Sequence, residues 1–486
     1  MARRARTKVN NWKKRAVQIQ YSTLLNLISK ADQTAFGKDH RFEDITNHQD
    51  FKNLVPIRDY EELKPYIEKV VAGEPDILWP GKPIYFSKTS GTTSGAKYIP
   101  ITSDSMGHHI DAARNALLLY IAQTGNADFI DGKMIFLQGS PVLQKKNGID
   151  VGRLSGIVAH HIPSYLQRNR LPSFETNSIE DWEKKVDAVI DETISEPMSL
   201  ISGIPSWVQH YFERILERTG KENIASVFPD FSLFVYGGVN FEPYKKRFDK
   251  LIGKHVDRVE TYPASEGFIA FQDDQNDRSL LLNIDAGIFF EFIPADEYYE
   301  ENPPRLSLSE VTTGVNYALI LSTNVGLWGY SIGDTVKFTS LNPFKILVTG
   351  RIKHYTSAFG EHVIAEEVEG AMEDAVAQFP QVEIIEFTVA PQLNPNSGLP
   401  HHEWLIAFGK EPEDMEKFEE VLDDAMQKRN IYYADLLKGK ILRQLKITSL
   451  PKNAFNNYMK SQGKMGGQNK IPRLSNDRKI ADAIEK

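Results

Sequence analysis

The chain of 486 residues contains no cysteine. That absence excludes disulfides, thiolate nucleophiles, Cys-ligated metal sites and any covalent intermediate held as an enzyme thioester. There is no run of about 18 apolar residues, so no membrane-spanning helix and no membrane partner are expected. The formal net charge is -8, which lacks the basic balance of a general nucleic-acid binder, and no nucleic-acid partner is expected. Gly-x-Ser-x-Gly and His-Glu-x-x-His are both absent, so no hydrolase elbow and no zinc helix announce themselves. Three adjacent His pairs occur, His108-His109, His160-His161 and His401-His402. Neighbouring side chains diverge on a helix or a strand, so a zinc site is not expected from them. Internal repeats and low-complexity stretches are lacking too.

What is present suits a large globular enzyme. Hydrophobic residues make up 41% and aromatics 10%, enough for a sizeable core. The length suggests about two to four domains. The N-terminus is basic (Arg3, Arg4, Arg6, Lys8, Lys13, Lys14, Arg15) but no apolar segment follows it, so it is not a secretory signal. A transit peptide and a solvated start to the first helix both fit it, the second more simply. A cytoplasmic monomer is expected.

Periodicity organises the chain. From Trp12 to Ile28 and from Asp59 to Val71, apolar residues recur at helical spacing. Pro80, Gly81 and Pro83 then mark a turn. Up to about residue 345, β-type runs (Met134–Leu137, Leu233–Tyr236, Ile288–Ile293, Tyr317–Leu321, Thr335–Phe338) alternate with helical ones (Ser105–Ala122, Ile179–Ile194, Trp207–Arg218, Tyr244–Leu251). This predicts an α/β architecture with a large sheet. Polar loops are expected over Gln138–Gly148 and Asp296–Pro304. Leu341–Gly350 reads as a boundary. Beyond it come a helix over Ala365–Phe379, strands over Val382–Val389 and Glu403–Phe408, a helix over Met415–Lys428 and a strand over Lys440–Ile447, a small α+β domain.

Five motifs could carry chemistry. Thr89 to Lys97 holds five hydroxyls, two glycines and a lysine. Glycines let backbone N–H groups approach a ligand, hydroxyls donate to phosphate oxygens and lysine brings a compact positive charge. The loop lacks the spacing of a Walker A motif. Tyr262-Pro263-Ala264-Ser265-Glu266-Gly267 places a carboxylate able to hold Mg²⁺ beside a glycine; alone, it reads equally as a plain turn. Tyr330 to Asp334 ends in a Gly-Asp pair whose carboxylate could accept from a ribose diol, or be an ordinary strand entry. Gly350-Arg351 with Gly360-Glu361 lies at the boundary. Gly463 to Arg473 is glycine-rich with cations, either a plain tail or a loop that delivers a lysine.

In this order the motifs resemble the adenylate-forming superfamily of acyl-CoA ligases, luciferase-type enzymes and peptide-synthetase adenylation domains. The closer likeness is to the acyl-acid amido synthetases, which join acids such as auxin or jasmonate to amino acids. It extends over nearly the whole chain. It is most specific in Phe51–Pro100, with Val55-Pro56-Ile57, Pro65-Tyr66-Ile67 and Leu78-Trp79-Pro80-Gly81. Gly95 comes after Ser94, where the wider superfamily puts glycine directly after the threonines, and this favours the amido synthetase branch. Pro263-Ala264, Asn469 and the run Tyr355–His362 depart from the plant members, and Tyr355–His362 is more similar to bacterial relatives.

The resemblance implies a large N-terminal α/β domain with mixed sheets (1–345), a hinge (346–353) and a small mobile C-terminal α+β domain (354–486). It implies ATP and Mg²⁺, with a small carboxylic acid and an amine, an amino acid above all, as substrates. Ser90, Gly91, Thr92, Thr93, Ser94, Gly95 and Lys97 would contact the phosphates. Gly237, Gly238 and Tyr262 would face adenine, Asp334 the ribose, and Arg351 the nucleotide from the hinge. Glu266 would hold Mg²⁺, and Lys470 would touch the reacting carboxylate and α-phosphate. Gly152–Tyr165, with Arg153, His160 and His161, is a guess for the acid pocket. The reaction expected is adenylation of the acid, then transfer of the acyl group to the amine. An acyl-CoA ligase shares the first half of it, and a nucleotide-binding protein without turnover is the non-enzymatic alternative.

Overall fold

The basic start is helical, but not as one rod. In the computed structural model it forms two helices, Ala2–Lys13 and Ala16–Ala31, broken at Lys14–Arg15. Val9, Trp12 and Ala16 enter the core, and Lys13 pairs with Asp273 at 2.5 Å. The charges line an exposed face while the apolar stripe docks. The structure describes the chain except residues 90–96, 163–166, 239–240, 353–354, 357–362, 394, 396, 439–440, 463–470, 476 and 486; at 182, 206, 242–244, 355–356, 431–432 and 435 it describes the backbone alone. Among the described residues no helix is long and apolar enough to cross a membrane.

The chain divides into two compact units: Met1–Val239 with Ile252–Leu347, and Asn240–Leu251 with Val348–Lys486. In the first, helix ends follow local chemistry. Asp59 caps the helix Tyr60–Val71 in a capping box with Glu62, and Thr102 caps Ser103–Thr124 with Ser105. That second helix stops at Gly125, whose φ of 75° suits glycine. An aromatic cluster of Phe36, Phe42, Trp79 and Trp328 anchors the N-terminal segments, and Trp328 Nε1 donates to the Leu78 carbonyl at 3.0 Å.

Strands β1 (Tyr85–Thr89), β2 (Lys97–Ile101), β4 (Gln144–Lys146) and β5 (Ile149–Gly152), together with β3 (Lys133–Leu137) of the larger sheet, follow in chain order. β2-β1-β5-β4 form a small sheet in which β1 pairs antiparallel with β2 and parallel with β5. The loop expected over Gln138–Gly148 therefore contains a strand. The large sheet adds β6 (Arg170–Leu171), β7 (Met198–Gly203), β8 (Leu233–Gly237), β9 (Asp257–Ala264), β10 (Gly267–Gln272), β11 (Leu280–Leu282), β12 (Ile288–Pro294), β13 (Asn316–Thr323), β14 (Tyr330–Leu341) and β15 (Phe344–Arg351). Its order is β12-β13-β14-β15-β11-β10-β9-β8-β7-β3-β6. The arm from β9 to β6 is parallel. The segment 341–350, expected as a boundary, contains the division between the two units, which falls at Leu347/Val348 within β15, after a tight connection at Asn342-Pro343. The helix Ser103–Thr124 packs on β9 and β10, and its Ala112, Ala116, Leu119 and Tyr120 share one core with Met134, Leu200, Leu233 and Val259.

In the second unit, β16 (Tyr355–Thr356) pairs with β17 (Val363–Ile364), and β18 (Glu383–Gln392), β19 (His401–Lys410) and β20 (Lys446–Leu450) make a three-stranded sheet. The helices Ala365–Gln378 and Met415–Arg429 share its core. The last strand starts at Lys446, not Lys440. Leu442 and Leu445 supply the apolar signal by entering the core without strand structure. Asp423, fully buried, accepts from the Tyr433 hydroxyl at 2.6 Å and from the Leu445 N–H at 3.0 Å. Residues 472–475 run beside β18: Thr388 Oγ donates to the Pro472 carbonyl at 2.6 Å and the Val389 N–H to the Arg473 carbonyl at 2.9 Å. Arg473 Nε donates to Glu369 at 3.0 Å. The helix that begins at Glu242 sends Lys246 to the Pro380 carbonyl (2.6 Å) and Lys250 to Glu383 (2.5 Å). Asn240–Leu251 thus packs with residues far downstream in sequence.

Candidate active site

The expected phosphate loop, Ser90 to Gly95, lies outside the described residues; its two feet do not. Thr89 pairs with Lys97 across β1 and β2, so the chain leaves and returns at one place. Lys97 Nζ lies 5.2 Å from the Tyr60 ring centroid, a cation–π contact, and the Tyr60 hydroxyl accepts from the Tyr98 N–H at 2.8 Å. On the other foot, Ser87 Oγ meets Ser265 Oγ at 2.8 Å in a fully buried contact. That bond ties the strand entering the loop to the β9–β10 hairpin, whose two-residue tip is Ser265-Glu266. Glu266 is half-buried there and stands 3.5 Å from the Tyr330 hydroxyl.

The glycine pair sits at the C-terminal end of β8, opposite Thr261 of β9. A Cβ on Gly237 would lie 2.2 Å from the Thr261 carbonyl oxygen, so only glycine fits without strand displacement. Gly238 follows with φ of 87°. One residue beyond Thr261, the buried Tyr262 donates its hydroxyl to Asp334 Oδ2 at 2.5 Å. Asp334 follows Gly333, whose φ of 85° turns β14. A carboxylate offers about four lone-pair positions, and the bond to tyrosine takes one of them. The structure therefore brings Gly237, Tyr262, Glu266 and Asp334 together with both feet of the loop. Ligands of open α/β sheets bind at the carboxyl ends of such strands.

Arg351 ends β15 and is exposed, in the second unit. Lys470, Gly360 and Glu361 lie outside the described residues. Arg153, His160 and His161 group around the stretch 139–143. A Cβ on Gly139 would meet Arg153 Cδ at 2.7 Å. His160 Nε2 donates to the Pro141 carbonyl at 2.8 Å, and His161 Nε2 lies 3.1 Å from the Tyr85 hydroxyl. Burial lowers the pKa of Arg153, and burial, then His160, lowers that of His161. Sequence reasoning missed Lys185 beside them. Its ammonium donates to the carbonyls of Asn177 (2.6 Å) and Gln138 (3.0 Å), and burial, then Arg153, pushes it down to about 8.

A recess in the sheet was missed as well. Phe136, Ser202 and Val235 stand in register on β3, β7 and β8, with Gly237 and Thr261 one step further on the same face. All five are partly exposed, although these strands have neighbours on both sides. One step earlier, Met134, Leu200 and Leu233 are buried in the core that also holds Phe129 and the helix Ser103–Thr124. The starts of these strands are buried and their ends are partly open. No sequence signal marks this, because it depends on strand order.

The chain matches the N-terminal domain of the GH3 family over residues 5–185, its central domain over 281–351 and its C-terminal domain over 366–479. The chain belongs to the GH3 family. A jasmonoyl–L-amino acid synthetase, JAR4, from Nicotiana attenuata is 22% identical over 392 residues, 67% of each chain. An indole-3-acetic acid-amido synthetase, GH3.15, from Arabidopsis thaliana is 30% identical over 191 residues, 38% of this chain and 30% of its own. Among solved structures, a GH3.15 acyl acid amido synthetase in complex with 2,4-DB matches with a TM-score of 0.80 at 17% identity, over 100% of this chain and 96% of that one. A 2-hydroxyisobutyryl-CoA ligase in its postadenylation state matches with a TM-score of 0.61 at 13% identity, over 96% and 90%. The GH3 chain thus has the adenylate-forming fold.

Metal fit follows from the donor set. Among the described residues no group of three or more His, Asp or Glu could hold an ion unaided. Mg²⁺ takes one or two carboxylates and completes its shell with phosphates and water. Glu266 alone, at a hairpin tip beside the loop foot, fits that mode.

Proposed function

We propose that this GH3 protein is an ATP-dependent acyl acid amido synthetase that joins a small carboxylic acid to an amino acid. The carboxylate oxygen attacks the α-phosphorus of ATP, the bond to the β-phosphate bridge oxygen breaks, and pyrophosphate leaves. The amine then attacks the acyl carbon, the bond to AMP breaks, and the amine's proton goes to solvent. The observation that carries this reading is the bond from Tyr262 to Asp334 beside Gly237 and the Ser87–Ser265 tie. It joins motifs far apart in sequence into one nucleotide-shaped edge.

The division of labour is as follows. Ser90 to Gly95 and Lys97 hold the phosphates. Gly237-Gly238 allows adenine close to the backbone, and Tyr262 flanks it while orienting Asp334 for the ribose hydroxyls. Glu266 would hold Mg²⁺, which supplies charge neutralisation at the phosphates. Arg351 and Lys470 belong to the second unit. In this proposal a hinge at 346–353 lets that unit rotate between the half-reactions and deliver Lys470. Arg153, with His160 and His161, lines the acid side. Phosphoryl chemistry of this kind needs mostly positioning and charge neutralisation. A cytoplasmic monomer acting alone completes the reading; light scattering checks the second half of it.

Acid-dependent exchange of labelled pyrophosphate into ATP, screened over carboxylic acids, tests the first half-reaction. Absence of exchange with every acid favours the binding protein without turnover. A CoA thioester as product would favour the acyl-CoA ligase.

A further inference from the structure

The open ends of β3, β7 and β8 raise the question of what fills them, and one side chain above them is unusual. Arg170 opens β6, the edge strand, in register with Met134 on the same face as Phe136. Its guanidinium carbon lies 5.2 Å from the Phe136 ring centroid, over the recess floor. Nε and Nη2 are buried, and among the described residues neither has a hydrogen-bond partner. Burial lowers its pKa. Leaving buried donors unmade is costly. Nε–H and one Nη2–H lie parallel on one edge of the guanidinium plane. That edge is the fork that takes both oxygens of a carboxylate.

We propose that Arg170 is a specificity-determining residue of the acyl pocket, and that it recognises a second carboxylate at the end of the acid remote from the reacting one. This rests on the amido synthetase reading of the site. The spacing sets the substrate's length. Strands lie about 4.8 Å apart, and β3, over which the guanidinium sits, is two strands from β8, where Gly237 marks the nucleotide edge. The sideways distance from the Arg170 guanidinium to that edge is therefore about 10 Å, which the acid has to bridge. The apolar floor between them, Phe136 and Val235 with the small Ser202, suits a methylene chain or an aromatic ring. The substrate class is a dicarboxylic acid with an apolar spacer.

The test uses suberate and octanoate, which share a chain length and differ in the distal carboxylate. Equilibrium titration of the full-length protein should show suberate binding at least about tenfold tighter than octanoate, the worth of one charge-assisted pair. Arg170→Met should abolish that preference while leaving octanoate binding within about twofold, and Arg170→Lys should keep part of it. The melting temperature of unliganded Arg170→Met should equal or exceed that of the wild type, because two buried donors without partners are removed. Equal binding of the two acids by the wild type, or an equal loss of both in Arg170→Met with a lower melting temperature, overturns the proposal and makes Arg170 structural. Pyrophosphate exchange with the same acids separates the two layers. Selective suberate binding with no exchange from any acid screened overturns the amido synthetase reading and leaves the Arg170 site standing.

Discussion

Tyr262→Phe removes a single oxygen from the candidate nucleotide site. In the wild type that hydroxyl donates to Asp334 Oδ2 at 2.5 Å from a tyrosine that is 8% exposed. The bond is to a carboxylate, and such bonds contribute about 1.5–3 kcal/mol. Water cannot fully replace the donor at a buried position. Asp334 would then lose one of the contacts that orient it, and the ribose hydroxyls would meet a less ordered carboxylate. With about 1.4 kcal/mol per tenfold change, ATP affinity should fall about 10- to 100-fold. The affinity for the acid should change far less. Asp334→Asn should cause a loss of similar size, because a neutral amide accepts weakly from a diol. The double variant decides the mechanism. If Tyr262 acts through Asp334, the two losses overlap, with a coupling of about 1–2 kcal/mol. Calorimetric titration of ATP and the ATP dependence of pyrophosphate exchange provide the readouts, with thermal unfolding as a check on folding. ATP affinity within about twofold of wild type in Tyr262→Phe, or strictly additive losses in the double variant, would refute the reasoning.

Three further outcomes are expected. Glu291, fully buried, is held by Arg305 at 2.6 and 2.9 Å and by His48 at 2.8 Å. Burial alone would raise its carboxyl, but Arg305 and then His48 outweigh this and hold it below the usual range. Its contribution is present above the unfolded carboxylate pKa and lost as pH falls through the lowered one. Glu291→Gln should cost about 3–5 kcal/mol in denaturant titration at neutral pH, and a loss under about 1 kcal/mol would contradict that role. Lys185 is depressed to about 8, so the folded state carries a penalty at neutral pH that disappears as pH rises from there toward the ordinary lysine range. Wild-type stability measured against Lys185→Met should therefore improve between pH about 8 and 10, and a flat difference would place the charge elsewhere. Lys470→Ala should slow adenylation by about 10²–10³-fold while ATP binding survives; loss of binding in the same titration would refute a role confined to the reacting centre.

Much of the fold's local logic is visible in the residues themselves. Asp59 with Glu62 and Thr102 with Ser105 announce two helix starts by capping chemistry that acts within one turn. The motifs ending in Glu266 and Asp334 are recognisable separately, because glycine, tyrosine and carboxylate at a strand end imply a turn that exposes them. That the Tyr262 hydroxyl lands on Asp334 depends on sheet order, which periodicity does not encode. Gly237 shows the same limit: its need for glycine comes from the Thr261 carbonyl on another strand. The recess over Phe136, Ser202 and Val235 arises at the partly open ends of three strands from distant parts of the chain. Arg170, in a two-residue edge strand, gives no pattern at all. The Leu442 and Leu445 side chains mislead for the opposite reason, since burial without strand structure imitates an apolar strand. The packing of Asn240–Leu251 with the second unit was hidden because Lys246 and Lys250 read as ordinary helix charges until Pro380 and Glu383 are placed beside them.

The most direct test of the central claim is a product assay on the wild-type protein with ATP, magnesium and an acid that supports pyrophosphate exchange. Amino acids and CoA are then offered in separate reactions and the products identified by mass. The account predicts AMP release that depends on an amino acid, with the matching N-acyl amide as product. A CoA thioester with no amide would contradict it.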